Sequence, residues 1–201
     1  MIYEGLADAG AARTRTGGVP LAPPGFEWPR CAECDGPMQF QAQIRLDDID
    51  PAEHGLFSIF MCENDPGLCL EWEPDSGGNR AFVFRSDLVP AAVPSDGVVL
   101  LPETSAIVYA ATPEVHYERA RQRWHSETGG PLRHVLGQVG GAPQWLQDDE
   151  TPTCGGCDAP MTFVVQLEEG HDRRTSMNFA GGCGYGFRCR PCDIASFLWQ
   201  P

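Results

Sequence analysis

Residues 28–44 read Trp28-Pro29-Arg30-Cys31-Ala32-Glu33-Cys34-Asp35-Gly36-Pro37-Met38-Gln39-Phe40-Gln41-Ala42-Gln43-Ile44, and a related stretch recurs 123 residues later. The repeated residues pair as Cys31 with Cys154, Cys34 with Cys157, Asp35 with Asp158, Pro37 with Pro160, Met38 with Met161, Phe40 with Phe163 and Gln43 with Gln166. From Gly17 to Leu46, 12 of 30 positions are identical. The offset becomes 127 at Phe60-Met61-Cys62, which aligns with Phe187-Arg188-Cys189, and Trp72 aligns with Trp199. This pattern predicts a duplicated unit with a four-residue insertion in the second copy.

Each copy contains the pattern of an antiparallel hairpin. Apolar residues alternate with glutamines along Met38–Leu46, which predicts a half-buried strand, and Gly55–Cys62 is the predicted returning strand. Met161–Glu168 and Met177–Cys189 are the equivalent strands of the second copy. The fold class we expect is therefore a β-rich α+β protein built from two duplicated antiparallel-sheet units.

One helix is predicted between the copies. Thr112-Pro113-Glu114 is typical of a helix start, and Gly129-Gly130-Pro131 ends the helix near Glu127. We expect the first repeat over residues 17–74, the connection over 75–135 and the second repeat over 136–201, together forming one compact pseudo-symmetric unit. Further strands are predicted at Arg80–Arg85, Val98–Leu101 and Ala106–Ala111. Residues 1–16 lack periodicity and are expected to be loosely held, at most as an edge strand.

Eight of the nine cysteines fall into two sets of four. The set in the second copy is Cys154, Cys157, Cys189 and Cys192. The set in the first copy is Cys31, Cys34, Cys62 and Cys69, with Asp65 standing at the position that aligns with Cys192. Two thiol-bearing turns on neighbouring strands supply the four tetrahedral ligands that zinc requires, so the spacing predicts two structural zinc ions. The alternatives are thiols that only pack in a core and, for the first copy, a decayed site.

Three further residues have side chains that could bind metal or react. Cys183 has no counterpart and is expected to be a buried or idle thiol rather than a redox-active one. His54 and His171 lie in the two hairpin loops, where a histidine could replace a thiolate ligand. The simpler expectation is that both are exposed loop histidines.

The chain is strongly acidic. It has 14 arginines, no lysine and 28 acidic residues, which gives a net charge of −14, and residues 27–75 alone contain 12 acids against two arginines. Such a charge opposes binding to nucleic acid and favours a basic protein partner. Without a signal-peptide pattern or an apolar run long enough to span a bilayer, we expect a soluble, cytoplasmic protein that binds no membrane.

The repeated pattern Gly-Gly-x-Pro … Cys-x-x-Cys-x-x-Pro-Met-x-Phe-x-x-Gln, preceded in the first copy by Trp28-Pro29, resembles the bacterial YwqG-like family of unknown function. Residues 134–152 and the run Met61-Cys62-Glu63-Asn64-Asp65-Pro66-Gly67 with Cys69 strengthen the resemblance, which covers nearly all of the chain from Gly17 onward. The chain is more distantly similar to the eukaryotic programmed cell death 2 family, whose two halves also carry Cys-x-x-Cys and a glutamine strand. Members of that family act as chaperones of a basic ribosomal protein. The additional zinc finger of some relatives is missing here, so the resemblance implies only that a basic protein is held.

These observations favour a non-enzymatic, zinc-stabilised acidic module that binds a basic protein in a chaperone-like or inhibitor-like manner. A toxin-immunity protein would have the same acidic surface. An enzyme acting at the cleft between the halves is a third hypothesis, with His134, Asp148 or Asp149 as its reactive groups. A zinc ribbon that binds nucleic acid is disfavoured by the charge.

Overall fold

Antiparallel pairing joins twelve β-strands into three sheets in the computed structural model, which describes all residues from 1 to 201. The strands are β1 (Ile2–Leu6), β2 (Arg15–Thr16), β3 (Leu21–Ala22), β4 (Gln39–Arg45), β5 (Leu56–Met61), β6 (Asn79–Phe84), β7 (Val89–Pro90), β8 (Ser105–Val108), β9 (Gly137–Val139), β10 (Thr162–Glu168), β11 (Cys183–Cys189) and β12 (Ile194–Gln200). The first sheet has the order β1-β8-β2-β4-β5-β6, the second β12-β11-β10-β9, and β3 pairs with β7 in a small ribbon. The prediction of a β-rich protein with one helix and antiparallel sheets is confirmed.

The two predicted hairpins, β4–β5 and β10–β11, have the same geometry. Each contains one register shift, between Phe40 and Ala42 in the first and between Phe163 and Val165 in the second. β2 lies beside β4, and β9 lies beside β10, with partners that are 123 residues apart in sequence. The two sheets therefore share a three-stranded unit in the same register.

A fourth strand extends this unit in both sheets, because β6 pairs with β5 and β12 pairs with β11. β12 was not predicted from the sequence, and the predicted alignment of Trp72 with Trp199 is wrong. Trp199 lies within β12, whereas Trp72 lies in the loop before β6. The two residues are instead in contact: the Trp199 N–H donates to the Trp72 carbonyl oxygen at 3.2 Å.

The two sheets bury one shared hydrophobic core, in which Ile44 and Phe57 of the first sheet pack with Val165 and Phe197 of the second. Gly186 of β11 permits the close approach of the sheets. A Cβ atom at this position would lie 2.7 Å from the ring of Phe57. A glycine in the middle of a strand here marks the contact of one backbone with a facing aromatic ring.

β4 is buried on both faces, so the prediction of a half-buried strand is wrong. Gln41 and Gln43 are both 0 % exposed. The Gln43 side-chain amide donates to the carbonyl oxygens of Ala11 at 3.1 Å and Arg13 at 2.8 Å. The N-terminal segment therefore covers the polar face of β4 and is not loosely held, although Ile2–Leu6 is the edge strand that was predicted.

Arg15 fixes the same segment from inside the protein. Its guanidinium is 0 % exposed and donates to the carbonyl oxygens of Ala11, Gly17 and Val19, with no carboxylate partner. Gly17 and Gly18 bring two of these carbonyls round the guanidinium through positive φ angles of 65° and 77°. The repeated Gly-Gly pair is thus a turn that glycine adopts without strain.

The helix α1 extends from Tyr117 to Thr128 and begins later than predicted. Thr112 caps only a local turn, since its hydroxyl oxygen accepts a hydrogen bond from the Glu114 N–H at 3.1 Å. Gly129 ends the helix in the left-handed conformation, with φ of 70°. This helix lacks the length and hydropathy that crossing a membrane requires.

The connection between the hairpins is part of the first sheet. β6 and β8 were predicted and pair with β5 and with β1 and β2. The predicted strand Val98–Leu101 is reduced to a single bridge between Leu100 and Phe40.

Glu53, in the loop of the first hairpin, joins the two sheets through ion pairs. Its carboxylate lies 3.0 Å from Arg188 of β11, 3.2 Å from Arg85 and 3.4 Å from Arg190. The hydrogen bonds with Arg188 lower the pKa of Glu53 below its usual 4.5. A carboxylate with a lowered pKa stabilises the fold above its ordinary pKa, and this contribution is lost as the pH falls through the folded-state value.

We expect Glu53→Gln to lower the free energy of unfolding by about 2 kcal/mol at neutral pH, because it leaves Arg188 buried without its charged partner. The difference from the natural protein should shrink once the pH falls below the usual glutamate value of 4.5. Urea denaturation at several pH values measures both effects. Glu118→Gln is the control, since the exposed pair of Glu118 with Arg121 should contribute at most about 0.5 kcal/mol. A pH-independent difference at Glu53 would contradict this account.

Candidate metal centres

The first group of four thiols gathers where β4 begins and β5 ends. Cys31 and Cys34 flank a tight turn in which the Cys31 N–H donates to the Gly36 carbonyl at 2.9 Å and the Asp35 N–H donates to the Cys31 carbonyl at 3.0 Å. Asp35 closes the turn with a φ of 55°. Cys62 follows β5 and Cys69 lies in the next loop; all four sulfur atoms are within 4.8 Å of one another.

The second group lies at the equivalent end of the β10–β11 hairpin. Its turn has the same hydrogen bonds: the Cys154 N–H donates to Ala159 at 2.8 Å and the Asp158 N–H to Cys154 at 2.9 Å. Asp158 again has a φ of 55°. Cys189 ends β11 and Cys192 lies in the turn into β12, and the four sulfurs again lie within 4.8 Å of one another.

The spacing of the sulfur atoms fits a metal ion and not disulfide bonds. Cys34 Sγ is 3.7 Å from Cys62 Sγ, and Cys157 Sγ is 3.6 Å from Cys189 Sγ. Four ligands at a zinc–sulfur distance of about 2.3 Å stand about 3.8 Å apart at the corners of a tetrahedron. Disulfide sulfurs are about 2.0 Å apart, and all nine cysteines are free. Both groups could therefore hold a metal ion.

Two residues that sequence reasoning missed support the first group. The Asn64 side-chain amide lies 3.4 Å from Cys62 Sγ and 3.7 Å from Cys34 Sγ, where it donates toward both sulfurs. The buried Glu71 carboxylate accepts hydrogen bonds from the N–H groups of Gly67 and Cys69, which holds the loop that carries the fourth thiol. No spacing pattern identifies either residue.

The second group is more open to solvent than the first. Cys157 is exposed and Cys192 is half-buried, whereas in the first group Cys34 is half-buried and the other three cysteines are buried. The Gly156 N–H donates to Cys154 Sγ at 3.4 Å and lowers the pKa of the Cys154 thiol to about 7. Hydrogen bonding with Cys157 and the other thiols raises the pKa of Cys192 to about 12. The hydrogen bonds within this group therefore favour a thiolate at Cys154 over one at Cys192.

The other predicted ligand candidates lie outside both groups. Asp65, which aligns with Cys192, is replaced in the first group by Cys69. His171 is half-buried rather than exposed: its Nε2 lies 2.6 Å from Glu103 Oε1, and its ring stacks on Tyr3 at 3.7 Å between centroids. His54 is exposed, as expected, and its carbonyl oxygen accepts a hydrogen bond from Arg85.

Cys183 is the buried thiol that was expected. It is 5 % exposed, and its Sγ lies 3.7 Å from Glu168 Oε1. Burial raises the pKa of Cys183 to about 12, so the thiolate needed for nucleophilic or redox chemistry is scarce at neutral pH.

The residues of the enzyme hypothesis are not brought together. His134 packs edge-on against Tyr3 at 5.4 Å between ring centroids. Asp149 accepts hydrogen bonds from Thr151 in a local turn, and the Asp148 carbonyl oxygen accepts one from Gln200. No hydrogen bond or ion pair links the histidine to either aspartate.

Several of the acids in residues 27–75 form ion pairs in the folded protein, so fewer unpaired negative charges are exposed than the sequence suggests. Arg45 pairs with Asp47 and Asp48, and Arg190 pairs with Asp50. Five acids of this stretch are exposed, have no ion pair and lie within six residues in sequence of a cysteine of the first thiol group. We call them the acidic face: Glu27, Glu33, Asp65, Glu73 and Asp75.

An antiparallel β protein with a four-thiol group at one end of each of two matched hairpins is the class that this fold and these sites define. The chain belongs to the family described as a domain of unknown function (DUF1963), whose model matches residues 14–129, or 116 of the 201 residues. That match includes the first thiol group and ends before the second hairpin. The chain is also similar to the uncharacterized protein YpfL of Salmonella typhimurium, with 36% identity over 69 residues. This segment is 34% of the present chain and spans only 16% of the relative's length.

We expect Cys69→Ser to remove one of two bound metal ions per chain, because the first group then has only three thiolates. Cys183→Ala should leave both ions bound, since Cys183 lies outside both groups. Inductively coupled plasma mass spectrometry of the purified variants measures the change. Equal metal content in the two variants would contradict the ligand assignment.

Proposed function

We propose that the protein is a non-enzymatic binding module for a basic protein partner, stabilised by two structural zinc ions, with a chaperone-like or inhibitor-like role. The observation that carries the proposal is the combination of two four-thiol groups with an acidic face whose residues are close in sequence to the first of them. The first proposed zinc ion has Cys31, Cys34, Cys62 and Cys69 as ligands, and the second has Cys154, Cys157, Cys189 and Cys192.

Zinc fits the donor set because four thiolates in a tetrahedron are its usual structural ligands. Four protein ligands leave no open position for a water molecule, so such a site stabilises the fold instead of activating a nucleophile. Four thiolates around a divalent ion also add about −2 to the local charge. The first ion would therefore strengthen the acidic face.

A duplication of an ancestral half accounts for the matched hairpins. The identical register shifts and the identical turns around Asp35 and Asp158 support this origin. The resemblance to the YwqG-like family, and the more distant one to the programmed cell death 2 family, rest on the same repeated residues. The second resemblance adds support for a basic protein as the partner.

If both ions are zinc, the protein purified without chelators should contain two equivalents of zinc per chain. Removing them with a chelator should lower the midpoint of thermal unfolding, because metal binding contributes to the free energy of folding. Elemental analysis and calorimetry test the two statements. Less than one equivalent, or iron in place of zinc, would overturn the zinc assignment.

Charge substitutions test the choice of partner. The first variant neutralises the acidic face with Glu27→Gln, Glu33→Gln, Asp65→Asn, Glu73→Gln and Asp75→Asn. The matched control removes five exposed, unpaired charges elsewhere, with Asp8→Asn, Asp87→Asn, Asp148→Asn, Asp158→Asn and Asp172→Asn. Quantitative mass spectrometry then compares the proteins retained by each variant from cells that express the natural protein.

We expect basic proteins to be retained by the natural protein and by the control, and to be depleted about tenfold or more from the acidic-face variant. Clustered charges that complement a partner speed association and fix its orientation, whereas dispersed charges of equal number do not. Equal retention by both variants would contradict the acidic face as the binding surface.

A further inference from the structure

The two four-thiol groups have the same turn, but other parts of the chain cover only the first. The Ala32 N–H donates to the Gly77 carbonyl oxygen at 3.0 Å, which ties the first turn to the loop that follows Cys69. The segment around Gly97 also packs on this turn, since a Cβ atom on Gly97 would lie 2.7 Å from the ring of Pro37. Pro37 itself is buried. Two neighbouring segments therefore shelter the first turn.

The second turn has no such cover. Every residue from 155 to 160 is exposed, and this run includes Cys157 and the counterpart of Pro37. Gly155, which corresponds to Ala32, has no backbone acceptor for its N–H. A Cβ atom on Gly155 would meet nothing within 4 Å. Small solutes can therefore reach the second group from the side of Cys157.

The two groups also differ in the side chains that donate to their sulfurs. Asn64 directs its side-chain amide at two sulfurs of the first group, 3.4 Å from Cys62 Sγ and 3.7 Å from Cys34 Sγ. Pro191 stands 127 residues later in the second copy and has no side-chain donor. No side chain outside the four thiols donates to a sulfur of the second group. A sulfur that accepts fewer hydrogen bonds is a stronger nucleophile.

Access, and not the distance between sulfurs, separates the two groups. A thiolate is a nucleophile, and its exposure decides whether an oxidant can reach it. Cys157 Sγ lies 3.6 Å from Cys189 Sγ, so a second sulfur is in place to complete a disulfide. The matching pair of the first group, Cys34 and Cys62, is almost as close at 3.7 Å, but Cys34 is half-buried instead of exposed.

We propose that Cys157 is a site of oxidation by hydrogen peroxide, and that the second four-thiol group loses its zinc ion on oxidation while the first retains its own. The inference rests on the two zinc ions of the proposed function. The second group is then a peroxide-responsive centre, and the first is purely structural.

The oxidation takes two steps. The Cys157 sulfur attacks one oxygen of the peroxide, so that an S–O bond forms, the O–O bond breaks and hydroxide leaves. The Cys189 sulfur then attacks the Cys157 sulfur, so that an S–S bond forms, the S–O bond breaks and a second hydroxide leaves. Two thiolates lose two electrons, the peroxide gains them, and the hydroxide ions take protons from the solvent to become water. Only Cys154 and Cys192 then remain to bind the ion, whereas a structural zinc site has four protein ligands.

Zinc release and disulfide mapping test the proposal on the natural protein. Hydrogen peroxide is added in small excess, and the absorbance of the complex of zinc with pyridylazoresorcinol follows the released metal, with a sample without peroxide as the baseline. Mass spectrometry of peptides then locates the disulfide. We expect one zinc ion to leave about tenfold faster than the other, and the first disulfide to join Cys157 to Cys189.

Substitutions identify the sulfur that reacts. Cys157→His retains four ligands, because zinc accepts histidine in place of a cysteine, but it removes the exposed thiolate. We expect this variant to slow the rapid release about tenfold or more. Cys183→Ala is the control and should leave the rapid release unchanged, since this thiol lies outside both groups. Asn64→Ala should speed the slow release, because two sulfurs of the first group lose a donor.

The possible failures of this inference and of the proposed function are distinguishable. Release of both ions at one rate, release of neither, or a first disulfide within the first group would overturn the inference and leave the two zinc ions standing. Rapid release from a Cys157→His variant that binds two zinc ions would also overturn it. If that variant binds only one ion, the disulfide map of the natural protein decides. A natural protein without bound zinc would overturn the zinc ions of the proposed function and this inference with them.

Discussion

The four sulfur atoms at the open end of each hairpin are the constraint on which the rest of the structure depends. A hairpin usually takes its register from its connecting turn. Here the thiol turn at the other end holds the strands, and the connecting loops are free to differ in length. The second copy has its four extra residues between Gln166 and Phe187, and both hairpins nevertheless have their bulge in the same place. A longer loop costs little in closure entropy once the strand ends are fixed elsewhere.

The sequence predicted the thiol groups well because their information is local. The ligand type, the short spacing and the repeat were enough to predict that Cys69 replaces the cysteine missing from the first copy. The burial of β4 depended on distant segments and could not be predicted in that way. Gln41 and Gln43 look like solvent-facing residues until residues 11–19 are known to cover them, and Arg15 lies within that cover without a carboxylate.

Two predictions of element boundaries were wrong: the start of the helix and the end of the second repeat. Thr112-Pro113 has the composition of a helix start. The Thr112 hydroxyl, however, only accepts a hydrogen bond from Glu114 in a local turn, and the helix begins at Tyr117. β12 was missed because an alignment that kept the offset of 127 beyond Cys62 and Cys189 placed Trp199 opposite a loop residue. In the repeat, β6 is the equivalent of β12, because each pairs with the returning strand of its own hairpin. This equivalence cannot be seen from sequence similarity.

Each thiol group is connected to the start of one edge strand. β6 begins directly after Gly77 and Gly78, whose carbonyl oxygens accept hydrogen bonds from Ala32 and Cys62 of the first thiol group. β12 begins opposite Cys189 of the second group. β6 and β12, which lie side by side and run antiparallel, are thus anchored at opposite ends to different sets of four sulfurs. The core between the sheets does not supply this anchorage, because its side chains lie on the inner faces of the strands. Metal ions in the two groups would therefore fix where these two edge strands begin, in addition to stabilising the fold.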